Sequence, residues 1–168
     1  MEQPTSRLEA AAMKRLLERD VTLEEIAELV YDLQAPYIDN ITMEWCLENV
    51  KQVLRKREVQ NAVLTGIELD VLAEEGKLSS PLLEIITNDE GLFGVDEVLA
   101  LAIVNVYGSI GFTNFGYLDK LKPKVINRLD SVKDGSEVNT FLDDIVGAIA
   151  AAAASRIAHS EPKLDNHS

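Results

Sequence analysis

The chain is short of cysteine, of positive charge and of long apolar runs, and each shortage excludes something. Cys46 is its one cysteine, so no intramolecular disulfide can form and no zinc site can rest on thiolates. Lys and Arg number 16 against 29 Asp and Glu, for a formal net charge of -13. That balance argues against nucleic acid as a partner and against loose adsorption to an anionic bilayer, since both would be repelled. The longest apolar runs, Val98–Val104 and Ile145–Ala154, fall short of the ~20 residues a membrane-spanning helix needs. Met1-Glu-Gln-Pro-Thr5 has neither the basic start nor the apolar stretch of a signal peptide. The chain therefore reads as soluble and cytoplasmic.

What the sequence has is helix. Its 168 residues and 46% apolar content suit one globular domain with a sizeable core. The expected domain spans 1–158, with 159–168 as a polar, disordered tail. Ser6 suits the cap of a first helix carrying Leu8, Ala12 and Leu16. Thr22-Leu-Glu-Glu25 is a capping box, followed by Ile26, Leu29, Val30 and Leu33 at helical spacing and ended near Pro36. Thr42 suits the cap of the next, with Cys46, Val50, Val53 and Leu54 on one face. A further amphipathic helix runs from Val59 to Leu72, with Gly76 as its stop. Ser80-Pro81 predicts a short helix through Ile86, and Pro123 another through Leu129. Gly91 and Gly94 mark a turn, as does Asp134-Gly135. Gly108, Gly111 and Gly116 predict a broken helix or a loop lining a site. The last helix is expected from about Thr140 to Ile157. No strand alternation, tandem repeat or interdomain linker is visible, so the expected fold is all-α: a single-domain array of helices, some of them buried and rich in small residues.

Two apolar helices open on paired acids. Asp143-Asp144 leads Ile145–Ala154, and Asp96-Glu97 leads Val98–Val104. Acids suit a helix N-terminus, where backbone N–H groups point out unpaired. A helix this apolar is expected to be buried, so its leading carboxylates sit at the edge of the core and need a cation, a proton or a dense set of donors. Asp119, in Leu118-Asp-Lys-Leu-Lys122-Pro123, and Asp130 extend the set. Taken singly, each Asp also suits a simple helix cap. If they converge, oxygen-only ligation favours Mg²⁺. A carboxylate-held Mg²⁺ suits phosphate ester hydrolysis, with Lys122 as a second positive charge and one acid as general base.

These elements also occur in a family order. Asp96-Glu97, then Leu118-Asp119-Lys-Leu-Lys122-Pro123 with Asp130, then Asp143-Asp144-Ile-Val-Gly147-Ala148 resemble the motifs of the phosphatidylglycerophosphatase A family, in its soluble, YutG-like branch. The match in type, order and separation covers Gly91–Ala154. The resemblance implies a Mg²⁺-dependent phosphatase that converts phosphatidylglycerophosphate to phosphatidylglycerol in phospholipid biosynthesis, or acts on a smaller phosphate ester. It implies Asp96, Glu97, Asp119, Asp130, Asp143 and Asp144 as metal ligands, and Asp119, Lys122 and Asp143 as catalytic residues. The chain departs from the family pattern twice. The early Gly-Thr-x-Gly-Ser segment of many members is absent, Thr65-Gly66 being the nearest remnant, and Gly116 stands where many carry an arginine.

Other features read more blandly. His159 and His167 lie in or beside the tail and read as solvated. Cys46 reads as core, and Trp45 as core or an interfacial anchor. Arg55-Lys56-Arg57 reads as a solvated helix face, or as an anchor for anionic headgroups in a transient contact with a membrane surface. Asn105 is expected to orient a ligand or satisfy backbone. The small-residue face of Ile145–Ala154 suits packing inside one subunit or against a second copy in a homo-oligomer. Two rival functions remain. One is a relative that binds Mg²⁺ or a phosphorylated ligand without turning it over. The other is a helix-turn-helix module built on Val21–Val30 and the basic Lys51–Arg57 region.

Overall fold

A computed structural model of the chain describes residues 6–132 and 136–160. The turn expected at Asp134-Gly135, the segment from 161 onward and His167 lie outside the described residues. Three helices begin where local chemistry dictates. Ser6, Thr22 and Thr42 each adopt extended backbone and accept a hydrogen bond from the amide three residues on. They start α1 (Arg7–Glu18), α2 (Leu23–Gln34) and α3 (Met43–Leu54). At α2 the capping box is complete, with Glu25 reaching back to the Thr22 amide.

The remaining α-helices among the described residues are α4 (Arg57–Glu74), α5 (Leu82–Thr87), α6 (Val95–Val104), α7 (Ser109–Leu121), α8 (Val125–Asp130) and α9 (Leu142–Ser160). No described residue is in a strand. A short 3₁₀ segment, Asn105–Tyr107, joins α6 to α7. The break expected among the three glycines falls at Gly108 alone, where φ is 83°. Here only glycine is unstrained. α7 then runs unbroken through Gly111 and Gly116. α9 extends through His159 and Ser160.

α9 is the axis of the molecule. It packs against α2, α3, α4, α6, α7 and α8, and every residue from Leu142 to Ser155 is buried. Being covered all round explains why it is apolar all round. The small-residue face therefore packs inside one subunit. Cys46 is buried in the same core, and Trp45 is half-buried against it.

Close packing on α9 turns on one glycine. A Cβ at Gly66 of α4 would clash with Ile145 Cδ1 and lie 3.1 Å from Phe141 Cβ. At Gly147 of α9 itself, the nearest atoms would be 3.5 Å and 3.7 Å away, at Ile126 and Phe115. Gly66→Ala should therefore destabilise by about 2 kcal/mol through overpacking. Gly147→Ala should stabilise by up to ~1 kcal/mol, since alanine suits a helix interior better than glycine. Urea unfolding of the two variants reads the contrast, and equal effects would show that α4 and α9 are not in this contact.

Candidate metal centre

The site begins with how α9 starts. The first amides of a helix have no partner within it. Those of Phe141 and Leu142 donate to the two carboxylate oxygens of Asp70 on α4, each at 3.0 Å. The Asp143 amide donates to the Asn139 carbonyl at 3.2 Å, and the Asp144 amide to Asp143 Oδ1 at 2.9 Å. Asp70 is fully buried. Burial pushes its carboxyl well above the ordinary value, against the pull of the two amides and of Arg19.

Arg19, just after α1, fixes the segment before α9. Its guanidinium donates to Glu74, to the Val138 carbonyl at 2.8 Å and to Asn139 Oδ1 at 3.1 Å. Glu74 Oε1 also accepts from the Val138 amide at 2.7 Å. Burial works against the charged form of Glu74, but the bonds from Arg19 and Val138 outweigh it and hold its pKa below the usual carboxylate value. So α1 and α4 together set the start of α9, and with it the position of its two acids.

Asp143 and Asp144 are buried, at 5% and 6% exposure. Carboxylate oxygens of Asp89, Asp130 and Asp143 all lie within 4.8 Å of one another. Asp130 ends α8, and Asp89 follows α5 in a left-handed backbone conformation, φ 49°. Lys122 also has a left-handed backbone, φ 47°, as it closes α7. Its Nζ is 3.7 Å from Asp143 Oδ2 and 3.5 Å from Asp119 Oδ1. Asp89 and Lys122 both stand at helix C-termini, where a left-handed residue commonly closes the last turn. Asp144 faces Asp96 in the first turn of α6, and that acid adds to its raised pKa.

Carboxylates dominate the described residues of this site. Burial pushes Asp143 up to about 7; Lys122 pulls it down, and Asp89 and Asp130 push it further up. Burial pushes Asp144 up to about 10, helped by Asp143, Asp96 and Asp119. Burial alone would lower Lys122, but Asp143, Asp119, Asp130 and Asp144 outweigh it and raise its pKa. Among the described residues Lys122 is the ammonium these carboxylates share, and further positive charge would ease their burial. An oxygen-preferring divalent cation would supply it, and the donor set, carboxylate only, fits such an ion. A cleft of ≈ 400 Å³ opens beside Asp89 and Asp130, lined also by Asn88, Asn139 and Thr140.

Of the acids the sequence singles out, the structure brings Asp119, Asp130, Asp143 and Asp144 together around Lys122, with Asp96 beside Asp144. Glu97 is exposed and enters none of these contacts. Asp89 was not singled out, because it leads no apolar helix; its one local signal is its place in Asn88-Asp89-Glu90-Gly91, just after a short helix. Asn105 is exposed at the end of α6 and orients nothing in the cluster. The Thr65-Gly66 pair supplies no phosphate loop: Gly66 is the packing contact on α9, and Thr65 is exposed. Gly116 lies one turn before Asp119 with open space where a Cβ would stand.

Fold and site together define an all-α protein with an acidic centre that could hold a metal ion. A family model described as phosphatidylglycerophosphatase A matches residues 22–159, and the chain belongs to that family. It is 60% identical over 154 residues to the uncharacterized protein YutG of Bacillus subtilis, covering 92% of each. Among solved structures it is similar to the low temperature requirement C protein from Listeria monocytogenes, with a TM-score of 0.91 and 62% identity over 94% of this chain and 98% of that one. A protein of unknown function from Bacillus stearothermophilus matches with a TM-score of 0.89 and 63% identity, over 92% of this chain and 96% of that one. No helix among the described residues is long and apolar enough to cross a membrane.

Proposed function

We propose that the protein is a Mg²⁺-dependent phosphatase acting on phosphatidylglycerophosphate or a closely related phosphate ester. The observation that carries this reading is the convergence of Asp89, Asp130 and Asp143, with oxygens within 4.8 Å, beside Lys122, in a chain of this family. Asp89, Asp130 and Asp143 would hold the ion, with Asp96, Asp119 and Asp144 around them. When bound, Mg²⁺ supplies positive charge to the phosphoryl oxygens.

The chain's own groups do the rest. Lys122 Nζ donates to a phosphate oxygen and adds a second positive charge. Asp119 is half-buried, so water reaches it. It takes the proton of the attacking water as general base. Water's oxygen forms the new bond to phosphorus, the bond from phosphorus to the ester oxygen breaks, and the leaving alkoxide takes up the proton that Asp119 received. Asp70 and Arg19 touch no substrate; they keep the start of α9, and so Asp143, in position.

The test is phosphate release from phosphatidylglycerophosphate in mixed micelles and from water-soluble glycerol phosphates, with Mg²⁺ and with EDTA. The expected result is release with Mg²⁺ only, faster from the lipid. Protein that binds Mg²⁺ yet releases phosphate from no ester is the non-catalytic binder instead.

A further inference from the structure

The elements that carry the site also carry exposed apolar side chains that the phosphatase chemistry does not use. Twelve large apolar side chains stand exposed among the described residues. Four of them, Leu17, Tyr37, Met43 and Leu82, are scattered. The other eight all fall between residues 92 and 121. Leu92, in the loop between α5 and α6, is fully exposed at 101%, and Val98 on α6 is exposed at 65%. Ile110, Tyr117 and Leu121 are exposed too, and their spacing puts them on one side of α7. Monomeric proteins rarely concentrate exposed apolar groups in this way without something to cover them.

We propose that this face, formed by the α5–α6 loop, α6 and α7, docks on the surface of a phospholipid bilayer, with Leu92 entering the acyl region. The proposal rests on the phosphatase reading for its purpose: a lipid headgroup phosphate must be reached at a membrane surface. Three observations favour a bilayer over a second copy of the chain. First, face and site share their elements. Asp89 lies three residues before Leu92, Asp96 is on α6, and Asp119 and Lys122 end α7. A lipid with its phosphate at the cluster would leave its acyl chains beside this surface. Second, the chain carries a net charge of -13, yet no residue from 98 to 118 is charged. This is the longest uncharged stretch in the chain, and it reaches the surface. It is therefore where an anionic headgroup layer meets the least repulsion. Third, the stretch ends beside Lys120, an exposed cation of the kind that anionic headgroups attract, whereas Lys122 belongs to the site and Lys124 pairs with Asp32 at 2.7 Å. The stretch cannot span a bilayer, because Gly108 divides it into helices of 10 and 13 residues.

The test is co-sedimentation with vesicles of phosphatidylcholine and phosphatidylglycerol, on the full chain and on Leu92→Glu and Val98→Glu. Both side chains are exposed, so neither change should disturb folding, which circular dichroism checks. Leu17→Glu on α1 is the control for any exposed leucine. The parent and Leu17→Glu should sediment with vesicles, and the other two should bind about tenfold more weakly or worse, since each replaces a buried apolar group with a charge. Release of phosphate from a soluble glycerol phosphate should be the same in all four. A parent that fails to sediment, or variants that bind as the parent does, overturns the proposal. So does light scattering that shows the parent as an oligomer and both face variants as monomers, which would assign the face to a second copy. Vesicle binding that depends on the face in a protein that hydrolyses no ester supports the face and sinks the phosphatase reading.

Discussion

Asp143→Asn is expected to lower kcat by on the order of 10²-fold or more, while the metal-free protein stays at least as stable as the parent. The activity falls because Asp143 is the one buried member of the triad with Asp89 and Asp130, and because it also faces Lys122 at 3.7 Å. Metal-holding and phosphate-holding groups meet at this residue. Stability is kept because asparagine has nearly the same shape and its oxygen can still accept the Asp144 amide. The charge that is lost is one that burial and two neighbouring carboxylates already disfavour. Asp119→Asn should reduce kcat similarly by removing the general base. Lys122→Ala should weaken phosphate recognition. Glu97→Gln should leave kcat unchanged, because Glu97 is exposed and outside the cluster. Phosphate release paired with melting temperature in EDTA checks all four. An Asp143→Asn protein that turns over at the parental rate would remove Asp143 from the reaction.

Glu97 shows where sequence reasoning runs out. Adjacent residues on a helix point about 100° apart. On α6, which is covered on one side only, just one of the pair Asp96-Glu97 can face α9. On α9, which is covered all round, both Asp143 and Asp144 are buried. The sequence shows each pair but not how many neighbours its helix will have. The caps at Ser6, Thr22 and Thr42 were legible because each involves a side chain and an amide three residues apart. Asp70 was not, although it holds the central helix, because its partners are 71 and 72 residues away and nothing around it resembles a cap. Arg19 is a similar case, reaching Val138 and Asn139 from the far end of the chain. Asp89 was hidden for another reason. It is brought to Asp143 by a left-handed turn after a six-residue helix, and neither feature leaves an apolar pattern. The motifs of 119–122, 130 and 143–144 were legible as a set because their order is that of a known family.

Stabilisation by Mg²⁺ should be large near neutral pH and vanish in acid. Asp143 and Asp144 hold their protons in the fold up to about 7 and about 10, against an ordinary value of 3.8. Above the ordinary value, then, the unfolded chain binds fewer protons than the folded one. The stability of metal-free protein therefore falls as pH rises through that window. Asp89 and Asp130 act on Asp143, and Asp96 and Asp119 on Asp144, so the repulsion builds as the pair ionises. Divalent metal requires the carboxylates without their protons. It should therefore bind weakly at about pH 5 and well at about pH 8, where the empty site costs the fold most. At a Mg²⁺ concentration about a hundred times its Kd, the gain would be about 2.7 kcal/mol, which is a shift of several degrees in Tm. Asp144→Asn should raise the Tm measured in EDTA at alkaline pH and shrink the Mg²⁺ shift, since it removes one buried acid from the ion's surroundings. Melting curves in EDTA and in millimolar Mg²⁺ across this pH range decide the matter. A shift that is absent at every pH, or that is greatest in acid, would mean that these carboxylates do not hold the ion.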